Sequence, residues 1–154
     1  MARRVAYLVR HGHCEGAGTL LGQSDVPLTA EGVAQADALA AELSGVERVI
    51  SSDLRRAVQT AEPIAKRAGV AVELDPRLRE ISYGAGDGRL WQEGIEPAET
   101  LEAFQARVRA AWRDICAGAA RVTVVVAHRG VNAVILEDLS FEQDYGVGRK
   151  VEIE

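Results

Sequence analysis

The chain has 154 residues, 47% of them hydrophobic and 27% charged, with a formal net charge of −5. That composition is ordinary for a globular chain able to bury a core without staples, and the acidic balance excludes a broad electrostatic footprint for nucleic acid or an anionic membrane. Two cysteines, Cys14 and Cys116, are too few for a disulfide framework, and no apolar stretch has secretory or membrane-spanning length, so the chain reads as cytoplasmic.

Val5–Val9 reads as a buried strand and the glycine-rich, polar stretch from Gly12 to Asp25 as a loop. Pro27-Leu28-Thr29 then opens a helix, with Thr29 as N-cap and Glu31 in the first turn. Val33, Ala36, Leu39, Ala40 and Leu43 recur at helical spacing, which predicts one inward face. Val46–Ile50 forms a second strand, followed by Ser51-Ser52-Asp53, a cluster suited to capping. From Leu54 the positions Ala57, Val58, Ala61, Ile64, Ala65 and Ala68 keep a 3.6-residue period until Gly69 stops it. Pro63 falls inside that period and is expected to kink or restart the helix.

Val70–Leu74 looks like a third strand, and Asp75–Pro97 is irregular. Leu101, Phe104, Val108, Ala111, Trp112 and Ile115 mark a long amphipathic helix. Val122–Ala127 is a fourth strand, a further helix begins after Gly130, and Val151 and Ile153 suggest an edge strand. Strands alternating with helical periods predict a three-layer α/β sandwich, with a largely parallel sheet and helices on both faces. In such sheets ligands bind beyond the carboxyl ends of the strands. His11, the Ser51–Arg56 segment and His128 all follow strands, so they converge on one edge.

A strand that ends in Arg10-His11-Gly12 suits a phosphate site. A neutral imidazole attacks phosphorus while a planar guanidinium grips phosphoryl oxygens. Each residue also has a plain structural reading. His11 is a capping or surface histidine at a strand end, and His128 a satisfied histidine at the end of a buried strand. Arg56 points away from its helix's apolar stripe, as a solvated arginine does, although it lies in a first turn that favours anions. Glu80 sits among the loop charges Asp75, Arg77 and Arg79. A metal reading also exists, because His11, His13 and Cys14 lie close together and His-x-His can ligate zinc, but no further ligand is spaced to join them.

Five ordered motifs carry a resemblance: Leu8-Val9-Arg10-His11-Gly12; Asp25-Val26-Pro27-Leu28-Thr29 with Gly32; Ser51-Ser52-Asp53-Leu54-Arg55-Arg56-Ala57 with Thr60-Ala61; Pro76-Arg77-Leu78-Arg79-Glu80-Ile81 with Gly84; and Ala127-His128-Arg129-Gly130-Val131. With them the chain, read as one domain over residues 1–154, resembles the histidine phosphatase superfamily, which includes the cofactor-dependent phosphoglycerate mutases. The resemblance implies that His11 is the nucleophile and that Arg10, Arg56 and His128 hold the phosphoryl oxygens. It makes Glu80 the acid that protonates the leaving alkoxide and later helps activate water, since a carboxyl near phosphate oxyanions retains its proton more readily. Arg55 is then an ordinary surface charge. Gly12, Cys14, Gly22 and Arg129 form the expected rim.

The sequence also departs from the family pattern. Cys14 and Ala17 stand where a threonine and an asparagine are usual, Asp87 where a tryptophan often follows, and Arg129 where glycine is common. The segment Gly88–Glu99 and the region beyond Leu136 are short compared with family mutases, which implies a reduced lid, with Trp91 as a lid or packed residue. The expected function is metal-independent hydrolysis of a phosphate monoester through a phosphohistidine, with no cofactor. The alternatives are mutase-type phosphoryl transfer and a weakened phosphate- or phosphoprotein-binding module. The Glu142-Gln143-Asp144-Tyr145-Gly146 stretch looks like that of phosphatases acting on α-ribazole phosphate and similar metabolites. The expected partner is a small phosphorylated metabolite or a phosphoprotein, with no nucleic acid and no membrane, and the oligomeric state is left open.

Overall fold

Strand β1 (Arg4–Arg10) pairs on one side with β6 (Val122–Ala127), in parallel, and on the other with the antiparallel edge strand β7 (Gly148–Ile153). Beyond β6 lie β3 (Arg48–Ser51) and β4 (Val72–Leu74), both parallel to it, so the sheet order is β4-β3-β6-β1-β7. These features come from a computed structural model that describes residues 3–87, 89–90 and 96–154. Four helices occur among the described residues: α1 (Ala30–Glu42), α2 (Arg55–Ala68), α3 (Leu101–Cys116) and α4 (Arg129–Ile135).

The period-2 alternation of the strands divides the core between two faces. Val9, Val49, Val124 and Val126 pack with Leu39 and Ala40 of α1 and Ala57, Ala61 and Ile64 of α2. Leu8, Ile50, Val125 and Ala127 pack with Phe104, Val108 and Ile115 of α3 and Val131 and Val134 of α4. The three-layer α/β sandwich with a largely parallel sheet is therefore the observed architecture.

Thr29 caps α1 through a hydrogen bond from the Gly32 N–H, as its position predicts. Val33, however, is 47% exposed, against expectation. Gly32 lies so close to the His13 carbonyl that any side chain there would strike it, and Gly32 takes the inward position in place of Val33, with Ala36, Leu39 and Ala40 buried as expected. Pro63 does not restart α2, which runs through it as one element and ends at Gly69 in the left-handed region. Buried Ala57, Ala61, Ile64 and Ala65 on both sides of the proline outweigh the single ladder hydrogen bond it removes. Leu101 opens α3 but is 50% exposed.

Inside the stretch read as a loop, β2 (Thr19–Leu20) pairs with β5 (Arg89–Leu90) in a separate two-stranded sheet. Non-local pairing of such short segments leaves no periodic signal. Much of the expected lid lies outside the described residues, Trp91 included.

Candidate active site

Register fixes the core of the site. Val5 pairs with Val122 and Arg10 with Ala127, so His11 and His128 leave the sheet side by side at the carboxyl ends of β1 and β6. Their ring centroids are 5.2 Å apart. The His11 N–H donates to the Ala127 carbonyl at 3.1 Å, which extends the ladder by one bond.

His11 is buried, and its Nδ1 lies 2.8 Å from the Gly12 carbonyl oxygen. A carbonyl only accepts, so Nδ1 carries the proton and Nε2 keeps its lone pair. Burial first and then the Arg56 charge depress the pKa of the ring to about 3; the Gly12 hydrogen bond pulls it upward, and the Arg10 charge adds a smaller downward push. Gly12 is needed here because a Cβ would sit 2.6 Å from the Gly32 oxygen, and its N–H is held by Thr60 Oγ1 at 3.0 Å.

His128 is also buried, and its pKa is lowered well below the ordinary histidine value, again chiefly by burial and next by Arg56. Its Nε2 is 2.9 Å from Ser52 Oγ. That hydroxyl accepts from the Leu54 N–H and can donate its own proton to Nε2, the arrangement in which the imidazole proton sits on Nδ1. Nδ1 is buried and has no partner among the described residues. The sequence marks Ser52 only as a cap.

Arg56 is 1% exposed, which overturns the solvated reading of its helical position. It donates through Nη1 to the Ser24 carbonyl at 2.6 Å and through Nη2 to the Gly22 carbonyl at 2.8 Å. Arg55, its neighbour, is exposed, and its backbone N–H is capped by Asp25 Oδ1 at 2.7 Å. Arg10 donates to the Gln143 carbonyl at 2.6 Å and lies 3.9 Å over the Tyr145 ring. The Nε atoms of both arginines are buried and unpartnered among the described residues.

Glu80 reaches the same place from the other side. Its Oε1 accepts from the Ile81 N–H at 3.0 Å and its Oε2 from the Gly130 N–H at 3.2 Å. A side chain at position 130 would meet the Glu80 carboxylate and force it to shift. Arg107 on α3 holds the backbone of this loop, donating to the carbonyls of Arg77 (2.8 Å), Arg79 (2.6 Å) and Glu80 (2.9 Å) while pairing with Glu99. Arg107 follows Phe104 by three residues and precedes Ala111 by four, on the inward stripe of α3. A charge on a buried stripe needs partners, and that is the signal the sequence carries.

Asp75 and Arg79, read as loop-surface charges, are instead structural. Asp75 caps the turn at Pro76–Leu78, and Arg79 makes a two-pronged pair with Asp53 at 2.6 and 2.7 Å.

Arg10, His11, Gly22, Arg56, Glu80, His128 and Arg129 all line one cavity of about 340 Å³, joined by Tyr83 and Tyr145. Gly12 and Cys14, expected on the rim, do not line it. Gly12 is buried beside α1, and Cys14 is buried in a β-bridge with Leu28, where burial raises its thiol pKa. Arg129 lies on the rim, where its Nη1 donates to the Phe141 carbonyl at 2.9 Å. Asp87, where a tryptophan is usual in the family, lies against Gly22 and accepts from the Tyr83 N–H at 2.9 Å. His13 turns away to Thr29 Oγ1 at 2.8 Å. Among the described residues no group of three His, Cys, Asp or Glu side chains is arranged to hold a metal ion.

Gln143 is a further residue that the sequence reading does not single out. Buried, it donates to the Leu8 and Val147 carbonyls, both at 2.8 Å, and accepts from Asn132, thereby fixing the segment whose carbonyl holds Arg10.

A family model for the histidine phosphatase superfamily (branch 1) matches residues 6–153. A curated relative from Proteus mirabilis, "Probable phosphoglycerate mutase GpmB", is 49% identical over 87 residues, covering 54% of this chain and 40% of that protein. The chain thus spans under half the length of the curated relatives it matches. Among solved structures, the alpha-ribazole phosphatase from Shigella flexneri superposes with a TM-score of 0.86 at 25% identity, covering 97% of this chain and 91% of that one. A protein from Thermus thermophilus is 37% identical with a TM-score of 0.76, covering 96% of this chain and 92% of its own.

Proposed function

This chain belongs to the histidine phosphatase superfamily, and from that premise we propose that it is a metal-independent phosphomonoesterase working through a phosphohistidine on His11. The observation that carries the proposal is a set of unmet donors beside a neutral base. Arg10 Nε, Arg56 Nε and His128 Nδ1 are buried without partners among the described residues, and all three residues line the cavity that holds His11. A buried N–H with no acceptor costs about 1–3 kcal/mol, so folding alone does not favour three in one place. A bound phosphoryl group offsets that cost.

In this reading His11 Nε2 attacks phosphorus and the bond to the ester oxygen breaks. The arginines and His128 stabilise the charge on the three non-bridging oxygens. Glu80, protonated, gives its proton to the departing alkoxide. The resulting carboxylate then takes a proton from water as that water attacks the phosphohistidine, which releases inorganic phosphate and returns His11 and Glu80 to their starting states.

The substrate proposed is a small phosphorylated metabolite, and the alpha-ribazole phosphatase resemblance supports a phosphatase over a mutase. The mutase name carried by the curated relatives supports a second reading, phosphoryl transfer between hydroxyls. That reaction must return the phosphoryl group before water reaches it. The proposed compartment is the cytoplasm. Two free cysteines fit it, and no helix among the described residues is long and apolar enough to cross a membrane.

The test is phosphate release from an aryl phosphate with chelator present, using the protein and His11→Ala. Turnover that survives chelator, falls at least about a thousandfold in the variant, and leaves an acid-labile, base-stable phosphoryl label on His11 is the expected result. Label-free turnover, or turnover intact in His11→Ala, overturns the mechanism. Conversion of 3-phosphoglycerate to its isomer without phosphate release overturns hydrolysis in favour of transfer.

A further inference from the structure

The cavity sets buried polar groups beside exposed apolar ones. Its polar groups His11, Arg56 and His128 are almost fully buried and Arg10, Glu80 and Arg129 are half-buried, whereas Leu101 and Leu139 are 50% and 54% exposed. Exposed leucine leaves apolar area in water that a bound molecule can cover. Leu101 opens α3, and Leu139 lies in the loop between α4 and β7. Leu20, Leu21, Ile81 and Phe104 continue the same apolar lining inward. Leu20 and Phe104 are themselves buried.

We propose that this apolar wall binds the alcohol portion of the substrate, so that the enzyme selects phosphomonoesters of uncharged, largely apolar alcohols. The inference rests on the phosphatase reading above and specifies its substrate class. Once the phosphoryl group lies among Arg10, Arg56 and His128, the ester oxygen faces Glu80 for protonation. Glu80 is followed at once by Ile81, so the alcohol carbon enters the apolar lining as soon as it clears the acid. Arg129, a cation that lines the cavity, is engaged by the Phe141 carbonyl. Apolar area removed from water is then the term that separates one alcohol from another.

A series of n-alkyl phosphates, ethyl to hexyl, tests this with the leaving-group basicity held nearly constant. The expected result is a rise in kcat/KM of up to about fourfold for each methylene that reaches the wall, from the transfer free energy of a CH₂ group. Leu101→Ser and Leu139→Ser, both at exposed positions that should tolerate the change, are expected to lower the hexyl-to-ethyl ratio severalfold. A flat series with measurable turnover overturns the substrate class and leaves the phosphatase standing. A rising series unchanged in both serine variants overturns the assignment of the wall. Absence of turnover on every ester overturns the phosphatase reading and this inference with it.

Discussion

Arg10, His11 and His128 leave the sheet as continuations of β1 and β6, whose parallel register sets their spacing, whereas Glu80 arrives on a loop beyond the short strand β4 and is placed by hydrogen bonds from α3 and α4. The floor of the cavity inherits its geometry from strands that the core would hold in place regardless of function. The wall that carries the acid has no such strand support; Arg107 holds the carbonyls of Arg77, Arg79 and Glu80 along its loop, and Gln23 also donates to the Glu80 carbonyl. Substitutions in the floor therefore remove chemistry, while substitutions behind the wall misplace it.

After His11 itself, the largest effect is expected at Arg56. Its fork serves the Ser24 and Gly22 carbonyls while its Nε stays free among the described residues, and an ammonium cannot reproduce that planar arrangement. Arg56→Lys is expected to lower kcat/KM by about 10²–10³-fold on any ester, measured by steady-state phosphate release. A loss below about tenfold removes Arg56 from the phosphate site.

Glu80→Gln sharpens the contrast because its effect depends on the substrate. With an alkyl ester, whose alkoxide must be protonated as it leaves, a loss of about 10²-fold is expected. An ester of an acidic phenol leaves without that help, so the first chemical step should change little. Equal losses on both esters in kcat/KM, which reports only the steps up to release of the alcohol, assign Glu80 a structural role.

Arg107→Met tests whether the wall depends on its support. A displaced acid costs about tenfold in kcat, within the range that misplacement by an ångström produces. KM is expected to stay within about twofold because the floor is intact, and Arg107→Lys should restore part of the loss. If KM rises while kcat holds, Arg107 serves the fold and not the acid.

The same division explains what is legible in the chain. Strands, helices and the convergence of His11 and His128 follow from periodicity and from the rule for carboxyl ends of strands, because those positions are set by local pattern. Arg56 and Glu80 are not legible by pattern. Arg56 sits off the apolar stripe of α2 and is buried by carbonyls more than thirty residues away in sequence, and Glu80 is one charge among several on its loop. Only their agreement with a known family singles them out. Val33 misleads because Gly32, without a side chain, claims the inward position through its contact with the His13 carbonyl. Tyr145 and Gln143 follow no period and act on Arg10 across most of the length of the chain.

Floor and wall also separate by pH. His11 titrates at about 3 in the folded protein and near 6.5 when unfolded. Between those values the unfolded chain binds a proton that the native state refuses, so stability falls as pH is lowered through the window. For His11 alone the loss between about pH 7 and 5 is about 2 kcal/mol, and His128 adds to it with the same sign. Asp53, Asp75 and Glu99, whose pKa values their arginine partners lower, lose their contribution only at more acid pH, below the ordinary carboxylate range. Urea midpoints at about pH 7 and 5 therefore read the histidines of the floor. His11→Asn should reduce that difference to the part due to His128, whereas Arg107→Met, which frees Glu99 from its partner, should change the pH dependence of stability only below about pH 4.5. An unchanged difference in His11→Asn would mean that the folded ring accepts a proton at ordinary pH, and a charged His11 has no lone pair with which to attack phosphorus.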